Sequence, residues 1–442
     1  MRFGAYPEYS DSGVAYLGSI PANWRTKKLK HIAKYWVSNV NKVAEDNEIP
    51  IRLCNYTDVY YNEFIDETRP FMETTATCEE IARFSLKEGD VVITKDSESW
   101  DDIAVPALVK KVNGLVCGYH LAFIRSNQKH LVGQFLFRYL QSPQINQHFQ
   151  VAATGVTRFG LPKEEIGSVA IALPSIPEQH KICGFIEHKT AQIDTLIHKK
   201  EELIEKLQEK RSALISRIVT QGLPPDAAKA AGLNPHPKMK DSGIEWLGKI
   251  PEHWELMQLK WAIMFQRGHD LPSDSREEGA VPVVSSSGIS AWHNVAKAKG
   301  PGIVTGRYGT IGEFHLIDGD YWPLNTTLYS IALHGNSPGF LRYLLTNLSP
   351  LFLLNSVKSA VPGVDRNDIH SVSVAVPPVA EQRAILDYLD REGVRIDRMI
   401  EKVQAAIEKL TEYRSALITD AVTGNIDVRN YTGELAHARS AH

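Results

Sequence analysis

Two glycine-spaced stretches of this 442-residue chain have the form that phosphate chemistry uses. Gly243-Ile244-Glu245-Trp246-Leu247-Gly248-Lys249 has the G-x-x-x-x-G-K spacing of a loop whose backbone N–H groups and lysine hold phosphates. Ile250 stands where the magnesium-binding Ser or Thr must follow, and the corresponding stretch near the N-terminus has Ser19 in place of the lysine. Gly306, Gly309 and Gly312 form a second set, but strand-like sequence follows them instead of a phosphate-capping helix. Pro225-Asp226 with Lys229 has part of a nuclease-like carboxylate–lysine set, without its second acid and inside a Pro-rich stretch. No Asn/Asp-Pro-Pro-Tyr/Phe motif for amino-group methylation is present, and the 16 histidines lack the i, i+4 pairing of a helical metal site. The residues point to a chain with no catalysis of its own.

Composition narrows the class. At 43% hydrophobic, a chain of this length buries two cores. Cys54, Cys78, Cys117 and Cys183 are widely spaced and read as reduced, mostly buried thiols of a cytoplasmic protein. The start Met1-Arg2-Phe3-Gly4 has no apolar signal core, and no run reaches the 18 or so apolar residues of a membrane span. The net charge of −3 does not advertise a nucleic-acid binder, so any such contact needs a polarised face or help from partners.

The elements that would position a site are given by repetition. Asp11-Ser12-Gly13-x-x-x-Leu17-Gly18-x-Ile20-Pro21-x-x-Trp24 returns as Asp241-Ser242-Gly243-x-x-x-Leu247-Gly248-x-Ile250-Pro251-x-x-Trp254. Leu173 to Thr220 matches Val376 to Thr423 at about 20 of 48 positions. A period of this length points to duplicated domains. Between the matches lie unlike blocks, residues 31–172 and 261–375. The first holds 14 Lys and Arg against 18 Asp and Glu, and the second 8 against 9.

The longer repeats read as helical rods. Each opens on a proline break and an acidic first turn, Pro177-Glu178-Gln179 and Pro378-Val379-Ala380-Glu381-Gln382, which suits the exposed N–H groups there. Ile182, Phe185, Ile186, Ile193, Leu196, Leu203, Leu207, Leu214 and Ile218 then recur at near-heptad spacing, as do Ile385, Leu389, Ile396, Met399, Val403, Ile407, Leu410 and Leu417. About 40 residues at about 1.5 Å each make a rod of roughly 60 Å. One narrow stripe on so long a rod calls for an equally long partner, and the other copy is the nearest candidate. Gly393 and Lys189-Thr190 are expected to mark a kink, and residues 221–240 a Pro/Gly/Ala linker.

Short β-rich runs alternate with turns in both blocks. Gly89 to Lys95 and Gly302 to Tyr308 look like matching strand-to-loop elements. One helix is expected in each block, over Phe135 to Leu140 and Phe340 to Leu344. Polar loops, Thr154 to Lys163 and Ser359 to Asp368, precede a last strand into each rod.

Doubled frames, doubled E-Q-x-x-I…I-D…R-S-A-L-I…V-T rods and unequal blocks between them resemble the specificity subunit of a type I restriction–modification system, over nearly the whole chain. The resemblance implies an α+β fold with two α/β target recognition domains. Two long helices, paired as an antiparallel coiled coil in a pseudo-two-fold internal duplication, separate them. The implied divisions are a first recognition domain (1–172), a first helical region (173–222), a linker (223–240), a second recognition domain (241–375), a second helical region (376–424) and a tail (425–442). Each domain would read half of a bipartite site in double-stranded DNA, and the helices would fix the spacer. Two methyltransferase subunits and two restriction subunits would bring S-adenosylmethionine, ATP and Mg. This chain would bind no cofactor and no metal. The alternative that the charge favours is an interaction scaffold without DNA contact, and a salt-dependent DNA-binding assay separates the two.

Reading bases needs donors and acceptors on a rigid support. The candidates are Lys95 and Ser97 after the first matched strand and Thr157, Arg158 and Lys163 in the loop before the rod. In the second block they are Arg307, Tyr308, Thr310, Lys358 and Arg366.

Overall fold

The architecture comes from a computed structural model that describes residues 4–308, 310–356 and 363–432. The chain forms two compact units, one of residues 1–200 with 405–442 and the other of residues 201–404. Each unit therefore combines one variable block, one frame and a part of each rod.

In the first unit the frame is a hairpin, Tyr9–Asp11 against Ser19–Pro21. The next strand, Arg25–Lys28, pairs antiparallel with Ala170–Leu173, the strand that enters the first rod. The block between them holds a five-stranded sheet in the order Ala33–Val37, Leu121–Ser126, Val91–Thr94, Pro106–Val109, Phe64–Ile65. Val91, Val92, Ile93 and Thr94 are all buried, as the unbroken apolar run of a central strand requires. A second sheet orders Leu115–Cys117, Ile49–Cys54 and Met72–Ala76, and Cys54 and Cys117 lie buried in it. All four cysteines are free, and Cys78 is exposed.

The second unit repeats this plan with other residues. Its hairpin is Met239–Asp241 with Lys249–Pro251, and Glu255–Gln258 pairs with Ser373–Val376 at the entrance to the second rod. Its main sheet orders Met264–Arg267, Thr327–Ala332, Gly302–Gly306, Phe314–Ile317, and its smaller sheet orders Gly288–His293, Val281–Ser285, Trp322–Pro323.

The rods are single helices, Ile176–Gln221 and Val379–Thr423. Helical structure passes through Gly393 and through Lys189-Thr190 without a break. The linker is not wholly irregular, because Pro225–Ala230 forms a helix with proline in its first turn, where the lost N–H costs nothing. The first block carries five α-helices: Tyr56–Tyr60, Cys78–Phe84, Gly133–Leu140, Pro143–Ala152 and Lys163–Ser168. Cys78–Phe84 is announced by a capping box in which Thr77 and Glu80 bond each other's backbone N–H. The expected helix around Phe340 extends over Pro338–Ser356.

The rods meet within each unit. Ile193 and Ile197 share the first core with Leu410, Leu417 and Ile418, and Leu214 and Ile218 share the second with Ile385 and Leu389. The C-terminal end of the second rod lies against the first frame, as the order of the repeats requires. Gly424 has a left-handed backbone (φ 81°), and a Cβ there would lie 2.4 Å from Pro21, so only glycine ends the helix at this spot. Tyr9 Oη donates to Gly424 O at 2.9 Å. In the second unit the end of the first rod does the same, with Gly222 (φ 86°) beside Trp254 and Pro251.

Candidate nucleic-acid interface

The two recognition-type loops are built on one backbone device that occurs once in each unit. In the first, the strand Val91–Thr94 delivers Lys95, whose N–H donates to His120 O at 2.8 Å and whose carbonyl accepts from Leu161 N at 2.9 Å. In the second, the strand Gly302–Gly306 delivers Arg307, whose N–H donates to Thr326 O at 2.9 Å and whose carbonyl accepts from Val364 N at 3.0 Å. A basic residue is thus clamped between two other loops in both. Two residues beyond the clamp, Lys163 and Arg366 each open a short helix, Lys163–Ser168 and Arg366–His370. Both are exposed. Lys95 with Lys163, and Arg307 with Arg366, are therefore equivalent pairs, although the surrounding sequences are unlike.

In the first unit the clamp continues as a small ladder. Asp96–Ser97 pairs antiparallel with Phe159–Gly160, which brings Arg158 beside the strand end. Arg158 Nη2 lies over the His120 ring, 2.8 Å from Nε2 and 3.2 Å from Nδ1, and His120 Nδ1 lies 2.9 Å from the Asp96 carboxylate. Lys95 Nζ lies 2.5 Å from the other Asp96 oxygen. Burial opposes the charged form of Asp96, but hydrogen bonds and charge from Lys95 and His120 outweigh it and hold its carboxyl below the usual range. Burial pulls the His120 pKa down, and Arg158 adds to this against the pull of Asp96. A neutral His120 ring supports the exposed guanidinium without setting a charge against it.

The candidates do not all reach outward. Ser97 is buried, and its hydroxyl accepts from Tyr56 Oη at 3.2 Å. Thr157 and Arg158 are exposed beside it. In the second unit Arg307 lies over the Tyr308 ring, 5.0 Å from its centroid. Gly363 abuts the same ring closely enough that a Cβ would lie 2.6 Å from it. Thr310 is half-buried with its backbone against Gly306. Lys358 lies outside the described residues. His120 and Asp96 were missed by the sequence reading, because only strand pairing brings them to Arg158. The described residues hold no cluster of His, Cys, Asp or Glu able to bind a metal ion, and no helix among them is long and apolar enough to cross a membrane.

Against known proteins, the model of the type I restriction modification DNA specificity domain matches residues 21–206 and 251–409, well over half of the chain. The chain belongs to this family. A type I restriction enzyme MjaX specificity subunit of Methanocaldococcus jannaschii is 21% identical over 431 residues, covering 93% of this chain and 96% of the relative. The EcoDI specificity subunit of Escherichia coli is 19% identical over 446 residues, with 92% and 90% covered. A solved structure described under complex assembly and conformational transition of the type I R-M system superposes with a TM-score of 0.68 at 15% identity, covering 92% of this chain and 99% of that one. The crystal structure of the HsdS subunit from Thermoanaerobacter tengcongensis gives 0.50 at 16%, with 92% and 98% covered. The solved neighbours have a mixed α/β fold with two long helices, and this chain shares that fold. Its function is DNA sequence specificity in a type I restriction–modification system.

Proposed function

We propose that the two blocks are independent readers of the two halves of a bipartite DNA site, each through its clamped basic loop. The observation that carries this is the clamp itself, since unlike sequences build the same backbone around Lys95 and Arg307. Selection that keeps a support while exchanging its side chains suits a device whose target varies. Lys95, Ser97, Thr157, Arg158 and Lys163 form the first reading loop. Arg307, Tyr308, Thr310, Lys358 and Arg366 form the second. Arg158 and Arg307 are the residues with free guanidinium edges for guanine or phosphate. Ser97 serves from beneath, as the acceptor that fixes Tyr56.

The rods act as the ruler, paired as an antiparallel coiled coil with pseudo-two-fold symmetry. Support comes from one ion pair made twice. Arg414 Nε lies 2.8 Å from Asp194 in the first unit, and Arg211 Nη1 lies 2.7 Å from Asp397 in the second. Asp194 and Asp397 are repeat equivalents, as are Arg211 and Arg414. Seventeen residues forward on one helix correspond to seventeen back on the other, which is the relation of antiparallel partners in constant register. The divisions are those of recognition domains 1–172 and 241–375, helical regions 173–222 and 376–424, linker and tail.

The chain does no chemistry and binds no cofactor of its own. Two methyltransferase subunits supply S-adenosylmethionine-dependent adenine methylation, and two restriction subunits supply ATP- and Mg-dependent cleavage, in the cytoplasm. The acidic balance of both blocks is tolerable in such an assembly, because the partners contribute cationic surface to the DNA clamp.

The test is exchange of residues 261–375 for the equivalent block of a related subunit, followed by methylome mapping of the host. One half-site should change and the other should stay. A change in both, or in neither, would return the scaffold reading to first place.

A further inference from the structure

Two described non-glycine residues of the first block, Ala104 (φ 61°) and His120 (φ 73°), have a left-handed backbone, the region that favours glycine over any side chain, and of the two only His120 carries a polar side chain. The equivalent clamp in the second unit uses Thr326, which is not among the left-handed residues described. A strained residue persists where its side chain has a task. The ring of His120 lies between Asp96 and Arg158, at 2.9 Å from one and 2.8 Å from the other, with the Tyr119 ring 3.8 Å away centroid to centroid.

We propose that His120, oriented by Asp96, is the positioning residue that sets where Arg158 meets DNA, and so determines the specificity of the first block. The inference rests on the reading of Arg158 as a DNA contact. Asp96 accepts from Nδ1–H and so fixes the ring, and Arg158 Nη2 lies over the face of that ring, 2.8 Å from Nε2 and 3.2 Å from Nδ1. Arg158 then rests one end on the imidazole and keeps its other N–H groups, in their planar fork, for phosphate or for guanine O6 and N7. A carboxylate in place of the ring would orient the guanidinium and also neutralise it. The imidazole orients it and leaves its charge to the DNA. In the second block the Tyr308 ring does this for Arg307, whose guanidinium lies over it.

The arrangement holds only while the imidazole is neutral, since a protonated ring sets a second positive charge directly against the guanidinium. The charged groups facing the ring are Asp96, Lys95 and Arg158, with Tyr119 against its face. Burial sets the balance toward the neutral form. Acid should therefore release Arg158 without unfolding the loop.

The test uses the chain assembled with its methyltransferase partner. Its probes are a duplex carrying the host-methylome site and one with the first half-site scrambled. The ratio of the two affinities is followed from about pH 8 to about pH 5.5 at constant salt. The wild-type ratio should be flat near pH 7–8 and fall several-fold below about pH 6. His120→Asn keeps an acceptor in a residue that tolerates the left-handed region, and its ratio should lack the acid step. His120→Gly should retain or raise the thermal midpoint, because backbone strain is relieved, while the ratio at pH 7.5 drops by about five-fold or more. Arg158→Ala should lose as much, and adding it to His120→Gly should lose little more. An unchanged ratio in His120→Gly beside a reduced one in Arg158→Ala would overturn the role of His120 and leave Arg158 as a reader. A normal ratio in Arg158→Ala would overturn both. If His120→Gly lost stability as well as discrimination, an acid step retained in His120→Asn would overturn the role.

Discussion

The two units place the same strands in the same order around a basic residue, yet they secure that residue and its block by different chemistry. The first unit uses hydrogen bonds and buried charge. Besides the Asp96–His120–Arg158 ladder, Glu63 bonds Arg138 at 3.0 Å and Arg414 at 2.6 Å, and Arg414 continues to Asp194. Arg138 is only 3% exposed while Glu63, Arg414 and Asp194 are 31%, 19% and 51% exposed, so this network ties block to rod from a buried guanidinium out to the surface. The second unit uses a ring stack at Arg307 and looser ties to its rods. Its Arg211–Asp397 pair is 41% and 46% exposed, and Tyr343 Oη donates to Asp390 at 2.7 Å. The lesson is that the duplicated frame and the strand order carry the geometry. The side chains that hold the reader are free to be of either kind.

The largest effect should come from changing what the units share. Four residues inserted after Glu205 and four after Lys402 face each other in the register set by the two Arg–Asp pairs. One helical turn adds about 6 Å of rod against about 3.4 Å per base pair, so methylome mapping should show a spacer longer by about two pairs and both half-site sequences intact. Altered half-site bases with the old spacer would sink the ruler.

A smaller effect should separate the units. Arg414→Ala removes a half-buried guanidinium that bonds both Glu63 and Asp194, leaves Glu63 with Arg138 alone, and should cost about 1–3 kcal/mol in denaturant unfolding. Arg211→Ala removes an exposed pair and should cost about 0–1 kcal/mol. Equal costs would mean that the buried network contributes no more than a surface ion pair.

What was legible in the sequence follows the same division. The frames, the rods and the paired strand-to-loop elements were visible because repetition and apolar spacing report on packing that both units need. The clamp partners were not visible. His120 is 24 residues from Asp96 and 38 from Arg158, and its left-handed backbone has no residue-type signature. The equivalence of Lys163 with Arg366 is a matter of one backbone hydrogen bond, which no side-chain pattern reports.

The smallest effect is in pH. Burial opposes the ionised form of Glu63, but Arg138 and Arg414 outweigh it and its pKa is lowered. Asp66, Glu67, Asp96 and Asp427 are also held low, and all five belong to the first unit. A lowered carboxylate stabilises above its unfolded pKa and ceases to do so as pH falls through the folded one. Hydrogen exchange followed from about pH 5 to about pH 3 should therefore show the first unit loosening before the second. The reverse order would show that these carboxylates do not govern its acid stability.

The first unit closes with residues from both ends of the chain, since Leu417, Ile418, Ala421, Val422 and Val428 lie in its core beside Trp24 and Phe135. About two hundred residues of the other unit are synthesised between these parts, which at roughly 5–20 residues per second takes about 10–40 s on the ribosome. The N-terminal half thus emerges first and finishes last. Until the final helix is released, its apolar face is open to chaperones, and a nascent or truncated chain has an intact second reader beside an unfinished first one.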